Sequence, residues 1–209
     1  MASEDWAAGL KQETRWGMMP TLTLPSGQVA GQSQPLLRFL GRDISVDGTP
    51  LTPEDPLEAL AVDEALCFIG EDIWRELLTV IAGRSPDADE RAAALMEDGG
   101  TVDVMLNELE ANLGGTDSVL ASGALSTADV YIFAAFGWWA SGFMTANVNS
   151  TSLLAGRPKL SAIIDRVGGL AAVKEYYSRD EKKAQMLVGS QAICPKTPLI
   201  THNKSLIDS

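Results

Sequence analysis

The stretch Leu125-Ser126-Thr127-Ala128-Asp129-Val130-Tyr131-Ile132-Phe133-Ala134-Ala135-Phe136-Gly137-Trp138-Trp139 decides the fold. Ser126 is placed to cap a first helical turn. Asp129, three residues on, is placed to reach back to the Ser126 amide, a carboxylate version of the capping box. Asp129 also sits at the positive end of the helix dipole. Leu125, before the cap, is placed to clamp Val130 as a hydrophobic staple. Past the cap almost every side chain is apolar, on all faces, and a helix apolar all round is buried on all sides. It is shorter than the about 20 apolar residues that span a bilayer. The stretch therefore reads as the central helix of a soluble helical domain, with other helices packed around it.

Those other helices are legible on both sides. Upstream, Asp55-Pro56-Leu57-Glu58 carries a cap, a proline at the first helical position and an acid at the box position. Leu66, Ile69, Ile73, Leu77 and Ile81 follow at helical spacing, and residues 83–86 break the helix. A second helix runs from about Asp87 towards Leu113. Its later stripe is Val102, Leu106, Leu109 and Leu113, and Gly99-Gly100 predicts a break within it. Ser141-Gly142-Phe143 closes the central helix, and a loop of Asn, Ser and Thr follows. Downstream, Pro158 opens a helix with Leu160, Ile163, Ile164 and Val167 inward. Gly168-Gly169 interrupts it, and a short helix with Val173, Tyr176 and Tyr177 comes last.

The first forty residues have a different pattern. Residues 4–12 allow a short helical turn. Thr21-Leu22-Thr23-Leu24 reads as a strand, Pro25-Ser26-Gly27-Gln28 as a turn and Val29-Ala30 as a short return strand. Ser33 is the natural N-cap of the helix that follows, Pro35 suits its first turn, and Gly41 is its natural stop. Residues 42–54 are polar, with Gly and Pro, and read as a linker.

The chain of 209 residues carries a net charge of −12, which argues against a nucleic-acid partner or an anionic membrane surface. Two cysteines, Cys67 and Cys194, suggest neither a disulfide framework nor a metal site. A single histidine, His202, excludes a histidine-rich metal cluster. The start, Met1-Ala2-Ser3-Glu4-Asp5-Trp6, is neither a signal nor a transit peptide, and no stretch reads as a membrane span. A cytoplasmic location fits, with an organelle not excluded.

The order of these parts resembles a glutathione transferase, the sigma-like branch most of all, over residues 4 to 178. Trp16-Gly17-Met18-Met19-Pro20-Thr21-Leu22 resembles the family's aromatic-Gly-Gln-x-Pro-x-Leu run. Gly31-Gln32-Ser33-Gln34-Pro35-Leu36-Leu37-Arg38-Phe39-Leu40-Gly41-Arg42 resembles its Gln-Ser-x-x-Ile-x-Arg-Tyr-Leu-x-Arg run. The run from Asp55 to Glu64 is similar to the start of its helical domain, Leu125-Ser126-Thr127-Ala128-Asp129 to its core-helix cap, and Arg157-Pro158-Lys159-Leu160 to its Tyr/Phe-Pro-x-Leu.

That resemblance implies an α/β plus all-α fold: a partial thioredoxin-like domain (1–43), a linker (44–54), an all-helical domain (55–178) and a C-terminal extension (179–209). It implies a cis peptide at Met19-Pro20, with the Met19 backbone pairing the cysteinyl part of glutathione. Gln32 and Ser33 take the γ-glutamyl carboxylate, and Trp6 and Lys11 the glycine carboxylate. Asp72 faces the peptide site of a partner subunit. Ser126 and Asp129 are a structural cap. Glutathione is the substrate, no metal is required, and the expected partner is a second copy or a protein covering an open sheet edge. The chain departs from the family in four places. The first β-α-β unit, with its thiol-activating Tyr, Ser or Cys, has no match, so no catalytic residue is assigned. Met18 stands where Gln is expected, the Trp6–Lys11 spacing is one residue long, and the extension is longer than typical. Two functions follow: conjugation of glutathione to electrophiles, if a thiol-activating segment exists, or a non-catalytic binding or assembly subunit.

Overall fold

The computed structural model describes residues 9, 11–81, 87–140 and 148–178. The readings on Trp6, on residues 83–86, on Ser141-Gly142-Phe143 and on the extension from 179 lie outside the described residues.

The first part of the chain is small. A single turn, α1 (Lys11–Glu13), precedes a hairpin of β1 (Thr21–Thr23) and β2 (Val29–Gly31). The strands are antiparallel, with Thr21 opposite Gly31 and Thr23 opposite Val29. Helix α2 (Ser33–Leu40) follows and packs on β2. Leu36 is its buried residue. Gly41 ends α2 as read, with its amide on the Leu37 carbonyl, but its φ of −66° is right-handed. Glycine is required there for space. A Cβ would lie 2.3 Å from Thr127 Cγ2 and 2.5 Å from Thr52 Oγ1.

Residues 42–54, read as a linker, contain a second hairpin, β3 (Ser45–Val46) and β4 (Thr49–Pro50). Asp47 and Gly48 turn it with φ of 52° and 81°. Positive φ at both central residues is what a type I′ hairpin turn requires, and Asp-Gly is its characteristic pair. Leu51 beyond it is buried in the main core, and its carbonyl accepts from the Thr127 amide.

The helical part begins with α3 (Pro56–Cys67), which Asp55 caps by accepting from the amides of Leu57 and Glu58. A π-helical segment, Phe68–Ile73, continues into α4 (Trp74–Ile81). Leu66, Ile69, Ile73 and Leu77 are wholly buried, as their spacing predicts. The break at Gly99-Gly100 divides α5 (Ala88–Met96) from α6 (Thr101–Asn112). Gly99 turns there with φ 81°, and the chain passes so close that a Cβ on Gly100 would lie 2.5 Å from the Ala94 carbonyl.

Central helix α7 (Thr127–Trp139) touches α3, α8 (Ser150–Leu154) and α9 (Pro158–Gly169). It is buried on most faces, but not all round: Trp138 is 40% exposed. Trp74 of α4 accounts for the aromatic end of α7, stacking on Trp139 with centroids 6.1 Å apart and tilting against Trp138 at 4.9 Å. Helix α8 lies in the stretch read as a loop. Asn149 caps it, accepting from the amides of Thr151 and Ser152, while Ser152 Oγ accepts from the Asn149 amide. Leu160, Ile163, Ile164 and Val167 of α9 are buried as read. Helix α10 (Ala171–Ser178) is last and buries no residue fully.

The cap of α7 holds more than its own helix. Asp129 Oδ2 accepts from the Ser126 amide at 2.7 Å, as the spacing predicts, and from the Ser126 hydroxyl at 2.7 Å. Its Oδ1 accepts from the Val119 amide at 2.7 Å, ten residues upstream. Arg166 donates to the Gly123 and Asp117 carbonyls from the other side of the same loop. Burial pushes the Asp129 carboxyl above its ordinary range, against the pull of these hydrogen bonds and of Arg166.

Candidate functional site

The end of the first hairpin brings four of the singled-out residues together. Because Thr21 lies opposite Gly31, Pro20 and Gln32 are neighbours where the antiparallel ladder ends. The Met19-Pro20 bond is cis. Met19 is 56% exposed and precedes the first ladder pair, so its backbone groups lie outside the hairpin ladder.

Gln32 leaves β2 with φ 77° and ψ 126°, in the left-handed half of the map. A non-glycine residue there is uncommon and costs of order 1–3 kcal/mol. Helix α2 starts at the next residue, Ser33, directly after the end of the hairpin. Ser33 was read as the N-cap, but Gln32 holds that position and makes no side-chain cap bond. Ser33 is instead the first helical residue. The shift follows from Gln32, whose dihedral ends the strand one residue before the helix begins. The first amides of a helix have no intrahelical partner, and Pro35 has none to offer. The Ser33 and Gln32 side chains are exposed and have no intramolecular hydrogen-bond partner among the described residues. Free amides, a hydroxyl and the positive end of a helix dipole together make a place for an anion.

Lys11 opens α1, exposed, and its Cε would lie 3.4 Å from a Cβ on Gly17. It therefore borders the bend that leads to Met19. Trp16 lies over β2, its ring 3.4 Å from where a Gly31 Cβ would be, with Arg15 5.1 Å above it. Asp72 sits in the π segment, half-exposed and ion-paired with Arg75 at 3.1 Å. Cavities of about 430 Å³ (Ala61, Phe68, Leu109, Leu113) and about 490 Å³ (Arg38, Arg42, Thr52, Asp63) lie against α3 and include none of these residues.

Helix α2 is fastened to α3 by polar contacts. Arg38 pairs with Asp63, and its guanidinium lies 4.0 Å from Cys67 Sγ. Burial acts to lower the Arg38 guanidinium, but the hydrogen bond and charge of Asp63 outweigh it and hold it above its usual value. Gln34 donates from Nε2 to the Leu66 carbonyl at 3.0 Å and accepts from the Cys67 thiol at 3.5 Å. In the sequence, Gln34 and Arg38 stand only as letters in a motif. Their partners lie 25 to 33 residues away in the chain, beyond the reach of a local rule. Among the described residues no group of three acids, histidines or cysteines is placed to hold a metal ion, and no helix is long and apolar enough to cross a membrane.

A small hairpin-and-helix unit, carrying a cis proline opposite a helix start, set on an all-α bundle with a capped central helix, is the glutathione transferase fold. The chain resembles that superfamily in sequence as well as in structure. No family model matches it. It is 27% identical over 176 residues to glutathione S-transferase S1 of Drosophila melanogaster, a match over 84% of this chain and 65% of that protein. This chain thus spans just under two thirds of that relative's length. Among solved structures, it is 26% identical to a sphingomonad glutathione S-transferase complexed with glutathione. That match has a TM-score of 0.56, over 81% of this chain and 74% of that one. The Pi-class glutathione S-transferase of Onchocerca volvulus shares the fold with a TM-score of 0.66 at 20% identity, over 87% and 79% of the two chains.

Proposed function

We propose that this protein binds glutathione at the end of its first hairpin. The observation that carries the reading is the meeting of Met19-Pro20 with the exposed start of α2 at Gln32 and Ser33. The Met19 backbone faces the cysteinyl unit, and the Ser33 amide and hydroxyl take the γ-glutamyl carboxylate, with Gln32 beside it. Lys11, with Trp6, supplies the glycine-carboxylate end, and Asp72 is contributed across a homodimer. A solved sphingomonad relative holding glutathione supports this ligand class. Conjugation to an electrophile is the reaction proposed for the whole protein. It needs a group that stabilises the thiolate, beyond the binding residues named here. The division at 43 and 54, a cytoplasmic location and a partner along the open edge of the β1–β2 pair belong to the same reading.

Retention on immobilised glutathione tests it. The wild-type protein is expected to be retained and eluted by free glutathione. Ser33→Ala removes the hydroxyl at the anion site and should weaken retention by about tenfold, the loss of one hydrogen bond to a charged group. If the Ser33 variant binds as the wild type does, the anion does not sit there.

A further inference from the structure

Gly70 lies in the π-helical segment, where α2, the α3–α4 helix and α7 converge. A Cβ there would lie 2.4 Å from Gln34 Nε2 and 3.1 Å from the Tyr131 hydroxyl. Glycine at position 70 therefore makes a notch that the Gln34 amide fills. Within the notch, Gln34 donates to the Leu66 carbonyl and accepts from the Cys67 thiol. A π turn interrupts the i→i+4 ladder and widens the helix, and such turns recur at functional sites. Here it sits beside the second residue of α2, one position from Ser33.

We propose that Gly70 and Gln34 are positioning residues for the γ-glutamyl anion site, the notch fixing the first turn of α2 so that the Ser33 amide and hydroxyl point at the ligand. This inference rests on the glutathione reading above. Its substitutions are mild by construction. The nearest obstacle to a Cβ at position 70 is the far end of a flexible side chain, so Gly70→Ala should expel the Gln34 amide while leaving the bundle folded.

The test compares affinity for glutathione with affinity for cysteinylglycine, which lacks the γ-glutamyl group, by calorimetric titration of the full chain. Gly70→Ala is expected to reduce the preference for glutathione by about tenfold, one hydrogen bond's worth, while cysteinylglycine binds as before. Gln34→Ala should do the same, and the double variant should match Gln34→Ala alone, since both substitutions remove the same contacts of the Gln34 amide. A merely structural role would lower the thermal midpoint and leave the preference unchanged. Should Gly70→Ala fail to fold, Gln34→Ala alone decides. A folded variant that keeps the wild-type preference overturns the inference. A wild-type protein that binds neither compound, or both equally, overturns the glutathione reading and this inference with it.

Discussion

Asp129→Ala is expected to destabilise the protein by about 2–6 kcal/mol, measured by denaturant unfolding. The carboxylate is wholly buried and serves the amides of Val119 and Ser126 together with the Ser126 hydroxyl. Its removal strands two buried backbone N–H groups, each costing about 1–3 kcal/mol without a partner. Asparagine does not repair this, because three donors converge on two oxygens and an amide offers one. Its NH₂ would face either Val119 or Ser126. Ser126→Ala, which removes only the hydroxyl, should cost about 1 kcal/mol. The cap is therefore a junction: it starts α7 and also ties down the loop that leads into it. An Asp129→Ala protein within 1 kcal/mol of wild type would mean that the loop and the helix start are held by packing alone.

Arg157→Ala should cost about 3–5 kcal/mol in the same measurement. The Arg157 side chain is 2% exposed, and its guanidinium is fully engaged. Nε donates to Asn107 Oδ1 at 3.0 Å, and Nη1 to the Ser152 and Leu153 carbonyls at 3.2 Å each. Nη2 donates to the Asp103 carbonyl and pairs with its carboxylate. The residue pins α6 and α8 to the start of α9. Truncation leaves the Asp103 carboxylate, 15% exposed, without its cation. Arg157→Lys restores the charge but not the planar fork, so its stability should stay nearer the alanine variant than the wild type. Wild-type stability in Arg157→Ala would contradict this role.

These two residues show what the sequence could and could not reveal. Asp129 was legible because its bond to Ser126 spans three residues and obeys a capping rule. Its bond to Val119 was not, because no local rule links positions ten apart. Arg157 entered the sequence reading only as the residue before Pro158. Its partners on α6, 50 and 54 residues upstream, exist only once the helices have packed. Other features do carry a local signal in the sequence. Asp47-Gly48 announces a type I′ turn, and Asn149 with Ser152 announces a cap. The π segment carried none, since its apolar stripe reads like that of any helix.

The candidate site divides the same way. Met19-Pro20, Gln32 and Ser33 were read from motif resemblance, and the hairpin register explains why they meet. The one-residue shift of the α2 start came from the Gln32 dihedral, which no propensity fixes. Gly41 was read correctly as a stop, for a reason that is spatial and not conformational. Gly70 was not singled out, because a glycine that makes room for a distant side chain looks in sequence like any other.

The glutathione reading turns on whether the start of α2 holds the γ-glutamyl end of the ligand. A crystal structure of the protein grown with glutathione tests it most directly. The γ-glutamyl carboxylate is expected on the Ser33 amide and hydroxyl, with the cysteinyl unit alongside Met19. Glutathione bound elsewhere on the protein, or a site left empty at millimolar ligand, would contradict it.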